Sequence, residues 1–294
     1  MEKISICLNS RKWKNKLIFN LIIVTFFTTP FTKAQENIPN NKTDTLNYYW
    51  ERFSFNLGGF ITGLNSDIQL GSQEVGIGAA INIEDALGLE TSTLVLRSEM
   101  EYNYGRRRRH TARLGYFSLF RNARKVLDSE IEIGDETFPV GTEVSSKFDL
   151  QIYKGAYDYS FYMDERVKLG ITFGLFIMPI SFSTSALGLS EEVAEFIAPL
   201  PVFGLRTNFA ISPKLFLKQS IEILYLEISN FKGSISDINL RLEYNPWKHF
   251  GFGLGINSYR LNISIYENDN TFLDFAGSIK TSYTGMLFYG KYYF

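Results

Sequence analysis

From residue 50 onward, hydrophobic positions return at every second residue rather than at every third or fourth. In "LVLRSEMEYNY", Leu94, Leu96, Met100, Tyr102 and Tyr104 fall on one face, and Arg97, Glu99, Glu101 and Asn103 on the other. "ARLGYFSLF" sets Ala112, Leu114, Tyr116 and Phe120 against Arg113, Gly115 and Phe117. "VKLGITFGLFI" sets Val167, Leu169, Ile171, Phe173, Leu175 and Ile177 against Lys168, Gly170, Thr172 and Gly174. "LFLKQSIEILY" and "INLRLEY" repeat the scheme, with Lys218 and Glu222, then Asn239, Arg241 and Glu243, on the polar face. A period of two predicts strands with two unlike faces.

A soluble sandwich would bury the apolar faces of such strands. Three features point the other way, to a barrel with lipid outside. The apolar faces run about ten residues, the length of a tilted membrane-crossing strand rather than the usual five or six. The opposite faces mix glycine with charges of both signs, as a crowded lumen would. Aromatics gather at strand ends beside short turns, as interface girdles do.

Turn lengths alternate. Short polar turns lie at 105–110, 163–166, 211–214 and 245–249, and longer connections at 64–92, 123–147, 182–199, 229–236 and 264–277. Nine connections join ten strands, with short turns on the periplasmic side. The expected fold is all-β: a single transmembrane up-and-down antiparallel β-barrel of about ten strands, eight to twelve in range, because residues 65–83 leave room for an extra hairpin.

Composition agrees with alternation. The chain is 45% hydrophobic and 16% aromatic, yet its mean hydropathy is -0.07. The apolar run "LIFNLIIVTFFTTPF" follows the basic "RKWKNK" and precedes "TKA", the layout of a signal peptide over residues 1–34, cleaved after Ala34. Residues 35–50 read as a periplasmic lead-in and 51–294 as the barrel. Residues 1–34 hold six Lys/Arg and one Asp/Glu, which leaves 24 basic and 30 acidic residues and points to no nucleic-acid partner. The one cysteine, Cys7, departs with the signal, leaving neither disulfides nor a thiolate metal site.

The chain ends "TGMLFYGKYYF", with Met286, Phe288, Tyr292 and Phe294 assigned to lipid and Tyr289, Lys291 and Tyr293 to the lumen. This ending resembles the C-terminal signature of Gram-negative outer-membrane proteins. The resemblance implies that Tyr292 and Phe294 serve as an assembly signal read by the barrel-assembly machinery. "INIEDALGLE", "FPVG", "PLPVFGLR" and "EYNPWKHFGFGLGIN" are similar to a group of uncharacterised proteobacterial outer-membrane barrels. That likeness implies the fold and a location in the cell outer membrane, among its lipid and glycolipid, and brings no catalytic residue.

The candidate site is a lumen charge network of Arg97, Glu99, Glu101, Arg113, Lys154, Asp158, Arg206, Lys218, Glu222, Arg241, Glu243 and Lys291, with Lys280 read as lumen-facing too. Glu99 and Glu101, two apart on one face, have the spacing of an acid and base pair. With both signs so close, a mutually neutralising network is the simpler reading. Both histidines, His110 and His249, fall in short turns, away from an outer-rim nucleophile, so no enzyme is expected. No cofactor or metal is expected. Gly251, Gly253 and Gly255 form a period-two stripe that leaves room for bulky neighbours. "RRRR" at 106–109 reads as a solvated turn cluster.

Two loop features add to this. Asp128, Glu130, Glu132, Asp135, Glu136 and Glu143 would make the outer mouth acidic, able to attract cations or divalent ions shared with glycolipid. In "SEEVAEFI", Ser190 would cap a short helix that folds over the mouth. Ten strands lie between a filled eight-stranded interior and the open channel of sixteen. The expected function is a narrow or gated pore for small solutes; the alternative is a closed barrel acting as a structural or surface-interaction platform through its acidic loops.

Overall fold

A computed structural model describes residues 50–72, 76–77, 80–105, 107–133, 136–186, 192–228, 231–265 and 277–294. The expected signal peptide and nearly all of the expected lead-in lie outside the described residues. Ten long strands build one wall: β1 (Phe53–Ser72), β2 (Ser92–Tyr104), β3 (His110–Val126), β4 (Glu143–Met163), β5 (Val167–Ala186), β6 (Glu192–Ser212), β7 (Leu215–Ile228), β8 (Phe231–Tyr244), β9 (Phe250–Ile265) and β10 (Gly277–Tyr293). Each pairs antiparallel with the next, and β10 returns to β1 from Ser54↔Tyr293 to Leu70↔Gly277, closing the sheet. Closure leaves no open edge, so every strand of the wall is hydrogen-bonded on both sides.

The four short turns fall where alternation breaks. In the β4–β5 turn, Asp164 Oδ1 accepts from the backbone N–H groups of Arg166 (2.7 Å) and Val167 (2.6 Å). The Tyr162 hydroxyl donates to its other oxygen at 2.8 Å; with those backbone donors it holds the Asp164 carboxyl below its usual range.

The long connections are shorter than expected, because their ends continue the strands. β1 runs on to Ser72, β3 to Val126 and β9 to Ile265, while β8 starts at Phe231. The described residues of 65–83 extend β1 and add no further wall strand; Gly76–Ile77 and Ile81–Asn82 fold back to pair with β1. Nor does "SEEVAEFI" form a helix over its described part. Glu192 to Ile197 pair with β5 from Glu192↔Thr184 to Ile197↔Pro179, and Val193, Glu195 and Ile197 are exposed on one side in strand alternation. Ser190 and Glu191 lie outside the described residues.

The strands look like loops from sequence because their two faces exchange character partway up. On β4, Tyr153, Tyr157, Tyr159 and Phe161 are exposed near the short turn, whereas Glu143, Ser145, Lys147, Asp149 and Gln151 occupy the same side higher up. The inward side does the reverse: Lys154 and Asp158 below, Val144, Phe148, Leu150 and Ile152 above, all buried. On β9, exposed Phe252, Leu254 and Ile256 give way to Ser258, Arg260 and Asn262. From β9 through β10 and β1 to β2 the last exposed apolar residues are cross-strand partners, Ile256 with Met286, Met286 with Ile61 and Ile61 with Leu94, while on β8 the apolar run goes one outward position further, to Ile238.

The barrel therefore has two storeys. The lower one is apolar outside and charged inside, and the upper one is polar outside and apolar inside. From Tyr153 to Phe161, nine residues at about 3.3 Å each and a tilt of about 40° give a band roughly 23 Å tall, close to the ~25 Å lipid-facing belt of membrane barrels. Side chains such as Leu94 (71% exposed) and Leu114 (62%) are at home there only against lipid.

Candidate functional site

The lower storey aims its charges inward from eight strands. Parity sets this: in β2 the inward residues are the odd ones, which brings Glu99 and Glu101 inside, and in β8 Arg241 and Glu243 follow the same rule. Glu243 accepts from Lys291 (2.6 Å), Lys218 (2.9 Å) and the Tyr289 hydroxyl (2.8 Å). Above it, Arg241 binds Glu99 and Arg206 binds Glu101, both at 2.5 Å. Arg206 also reaches Asp158 at 3.2 Å, and Arg113 joins Asp158 (2.6 Å) to Glu222 (2.7 Å). Lys154 completes the column against Glu222, with Asp237 3.6 Å away.

Buried charges of this kind persist only when paired, and each one named here lies against an opposite charge. Glu99 is held by Arg241 and Glu101 by Arg206, with Arg241 also 3.7 Å from Glu101, so each carboxylate faces guanidinium groups and the arrangement ties β2 to β6 and β8. Arg97 is half-buried and donates to Asn257 at 3.1 Å. Lys280 departs from its expected position: it is exposed on the outer face. Residues of β10 that share the parity of Phe294 point outward, and at that height the outer face is polar. Tyr292 (40% exposed) and Phe294 (56%) lie on the lipid side, and the backbone of Phe294 is tied to Arg52 and Phe53 at the barrel seam.

The glycine stripe makes room for this column. A Cβ on Gly253 would overlap the Tyr289 ring, and one on Gly255 would stand 3.0 Å from Arg241 Cγ. Both side chains lie flat against β9 because the wall there has no side chains of its own.

Sequence reasoning missed three parts of the interior. One is the upper storey, where Phe60, Phe117, Tyr259 and Tyr283 stack in contact, with Tyr259 and Tyr283 4.8 Å apart, and aliphatic side chains fill the remainder. Another is a short helix, α1 (Ile83–Leu87), capped by Asn82 Oδ1 on the Asp85 N–H (3.0 Å) and ended by left-handed Gly88. Ile83, Leu87 and Leu89 are buried in the same core, and Glu84 is locked to buried Arg121. Arg121 also donates to Ser66 Oγ at 2.9 Å, and Glu84 accepts the Ser66 N–H at 2.8 Å. The hairpin Ile131–Ile133 with Glu136–Phe138 adds buried Ile131, Ile133 and Phe138.

The third part is at the other end. Trp50, 3% exposed, packs on Phe216 and Ala210 and donates its indole N–H to the Asp164 carbonyl at 3.0 Å. Glu51 turns inward to Lys291 (2.5 Å) and Lys218 (3.2 Å). The signals were present: Asn82-x-x-Asp85 before Gly88 is a capped turn, and Glu51 is an acid beside the first strand. Where the storeys meet, the space between side chains is about 20 Å³, bordered by Arg97, Lys154, Phe176, Asp237, Tyr259 and Tyr283. That is room for about one water molecule.

His110 sits among Tyr104, Tyr157 and Tyr159 near the short turns, its Nδ1 2.7 Å from the Tyr157 hydroxyl; His249 Nδ1 lies 3.1 Å from the Tyr293 carbonyl. Among the described residues, no group of three or more His, Cys, Asp or Glu is arranged to hold a metal ion.

No protein-family model matches the sequence, and no curated protein matches it. Solved structures do. The outer membrane protease OmpT from Escherichia coli is 9% identical, with a TM-score of 0.51 over 87% of this chain and 99% of that one. Ail, the attachment invasion locus protein of Yersinia pestis, solved with the heparin analogue sucrose octasulfate, is 9% identical over 80% of this chain and 98% of that one, with a TM-score of 0.34. The P. putida toluene transporter TodX is 8% identical over 82% and 89%, with a TM-score of 0.31. At these identities the likeness concerns the fold. The fold is that of the small β-barrels of Gram-negative outer membranes, and the apolar belt places the chain in that membrane.

Proposed function

We propose that this protein is a closed outer-membrane barrel that works as a structural or surface-interaction platform through its extracellular storey. The observation that carries the reading is the interior packing of the described residues: ion pairs occupy the lower storey, packed aromatics the upper, and Trp50 and α1 sit at the two ends. Exposed Glu130, Glu132 and Glu143 supply an acidic surface. The reading includes no catalytic role, supported by the pairing of every lumen carboxylate named above. It also includes export by the signal peptide, cleavage after Ala34, and recognition of Tyr292 and Phe294 by the barrel-assembly machinery.

The test is single-channel recording of the refolded chain in a planar bilayer, after a heat-modifiable, β-rich species has been confirmed. A silent, folded barrel is expected; discrete conductance steps would overturn the platform reading. A gated pore for small solutes is the second reading, favoured by one observation: α1 is a separate segment fastened by Glu84 and Arg121 above a polar column. Under that reading, Glu84→Ala with Arg121→Ala produces steps that the parent chain lacks.

A further inference from the structure

The residue just before each strand that leaves the short-turn end is basic in all five hairpin units: Arg52 before β1, Arg109 before β3, Arg166 before β5, Lys214 before β7 and His249 before β9. Their backbones are equivalent as well. The carbonyl of Arg52 accepts from Asn103 N (2.7 Å), that of Arg109 from Ser160 N (2.8 Å) and that of Arg166 from Ala210 N (2.7 Å). The carbonyl of Lys214 accepts from Asn245 N (2.8 Å), and that of His249 from Tyr293 N (2.9 Å). One basic position is thus repeated around the rim and fixed by the same backbone bond each time.

Little in the rim neutralises this ring. Arg52, Arg166 and Lys214 are exposed, and no ion pair to Arg52, Arg109, Arg166 or Lys214 exists among the described residues. Acids at this rim are fewer than bases: Asp164, whose charge acts on Arg166, and exposed Glu165 lie in the β4–β5 turn, while Glu51 is turned inward to Lys218 and Lys291. The ring's level is set by its neighbours. The next residue in each case, Phe53, His110, Val167, Leu215 or Phe250, begins the apolar belt, and exposed Trp247 lies beside the ring. Apolar surface above and unpaired cations one residue below is the profile of a bilayer interface, where aromatics and snorkelling basic side chains meet headgroups.

We propose that this ring binds anionic diacyl phospholipid headgroups of the periplasmic leaflet. The proposal rests on the outer-membrane orientation above. Continuity with the belt selects a lipid over a soluble polyanion, since the occupant must bring acyl chains and a phosphate to adjacent levels.

The test is spin-label EPR on the full refolded chain in phosphatidylcholine bilayers, comparing spin-labelled phosphatidylglycerol with spin-labelled phosphatidylcholine at the protein surface. The expected preference for phosphatidylglycerol is roughly fivefold, about what one interfacial Lys or Arg contributes against an anionic surface. It should fall towards parity in R52Q/R109Q/R166Q/K214Q and in high salt. A control carrying R124Q, K232Q, R260Q and K280Q, with the same charge change in the upper storey, should keep it. If the quadruple rim variant does not fold, R166Q and K214Q singly, each exposed, should each lower the preference. Equal association of both lipids with the parent chain overturns the proposal, as does a preference that survives the rim variant or disappears only in the upper-storey control. Failure to form a heat-modifiable inserted barrel would instead count against the membrane reading itself.

Discussion

Single residues in the lumen carry unequal weight, and the geometry says which matter. Glu222 is fully buried and holds both Arg113 and Lys154, so Glu222→Ala leaves Lys154 only Asp237, 3.6 Å away, and leaves Arg113 to Asp158 alone. Removing one partner of a buried pair costs about 3–5 kcal/mol, and a fall of that size in unfolding free energy is expected in urea titrations of the vesicle-inserted barrel. Surface pairs such as Lys147–Asp149 should differ sharply, because an exposed pair contributes about 0–1 kcal/mol. Gly253→Ala tests the opposite fault, overpacking. Its methyl must displace the Tyr289 ring and with it the bond to Glu243, at a cost of about 1–3 kcal/mol. Tyr289→Leu should recover part of that loss; a Gly253→Ala barrel as stable as the parent would show that the stripe is not needed for fit.

At the scale of elements, the folded strands are longer than the sequence suggests, for a physical reason. Lower-storey segments alternate as membrane strands must, so their parity, the ten-strand count and the inward charges from Arg97 to Lys291 were legible. Above the belt the same period continues with its faces exchanged. Ser181, Ser183 and Ser185 lie outward on β5 while Ile180 and Phe182 lie inward, and such a stretch reads as a polar connection. Lys280 was misplaced by the same exchange. The Arg121–Glu84 pair was hidden because its partners lie 37 positions apart, in a strand extension and a five-residue helix. That helix makes its own prediction. Glu84→Ala leaves Arg121 buried without its carboxylate and frees α1, so proteolytic cleavage between residues 80 and 91 should rise at least tenfold, about 1.4 kcal/mol of opening free energy or more, while the wall stays intact. Unchanged protection would mean that Ile83, Leu87 and Leu89 hold the segment without the ion pair.

For the whole molecule, the exchange of faces fixes where the bilayer stops, and depth is a measurable property of every strand at once. A membrane barrel whose wall ended at the headgroups would need no apolar interior. This one continues upward as a water-exposed barrel with its own core, which puts its upper storey on a rigid base instead of on loops. The change falls at paired positions on β9, β10, β1 and β2, through Ile256, Met286, Ile61 and Leu94, so β9 and β10 can be compared directly. With Cys7 replaced by serine the chain has no thiol, and single cysteines on the outer face of β9 can carry spin labels. Labels at Phe252, Leu254 and Ile256 should relax with oxygen, which concentrates in the hydrocarbon. Labels at Ser258, Arg260 and Asn262 should relax with a water-soluble nickel chelate. The crossover belongs between Ile256 and Ser258, with a second on β10 between Met286 and Thr284, its partner level. A crossover three or more outward positions higher would sink the upper storey into lipid, and its polar outer face would then demand a partner chain around it.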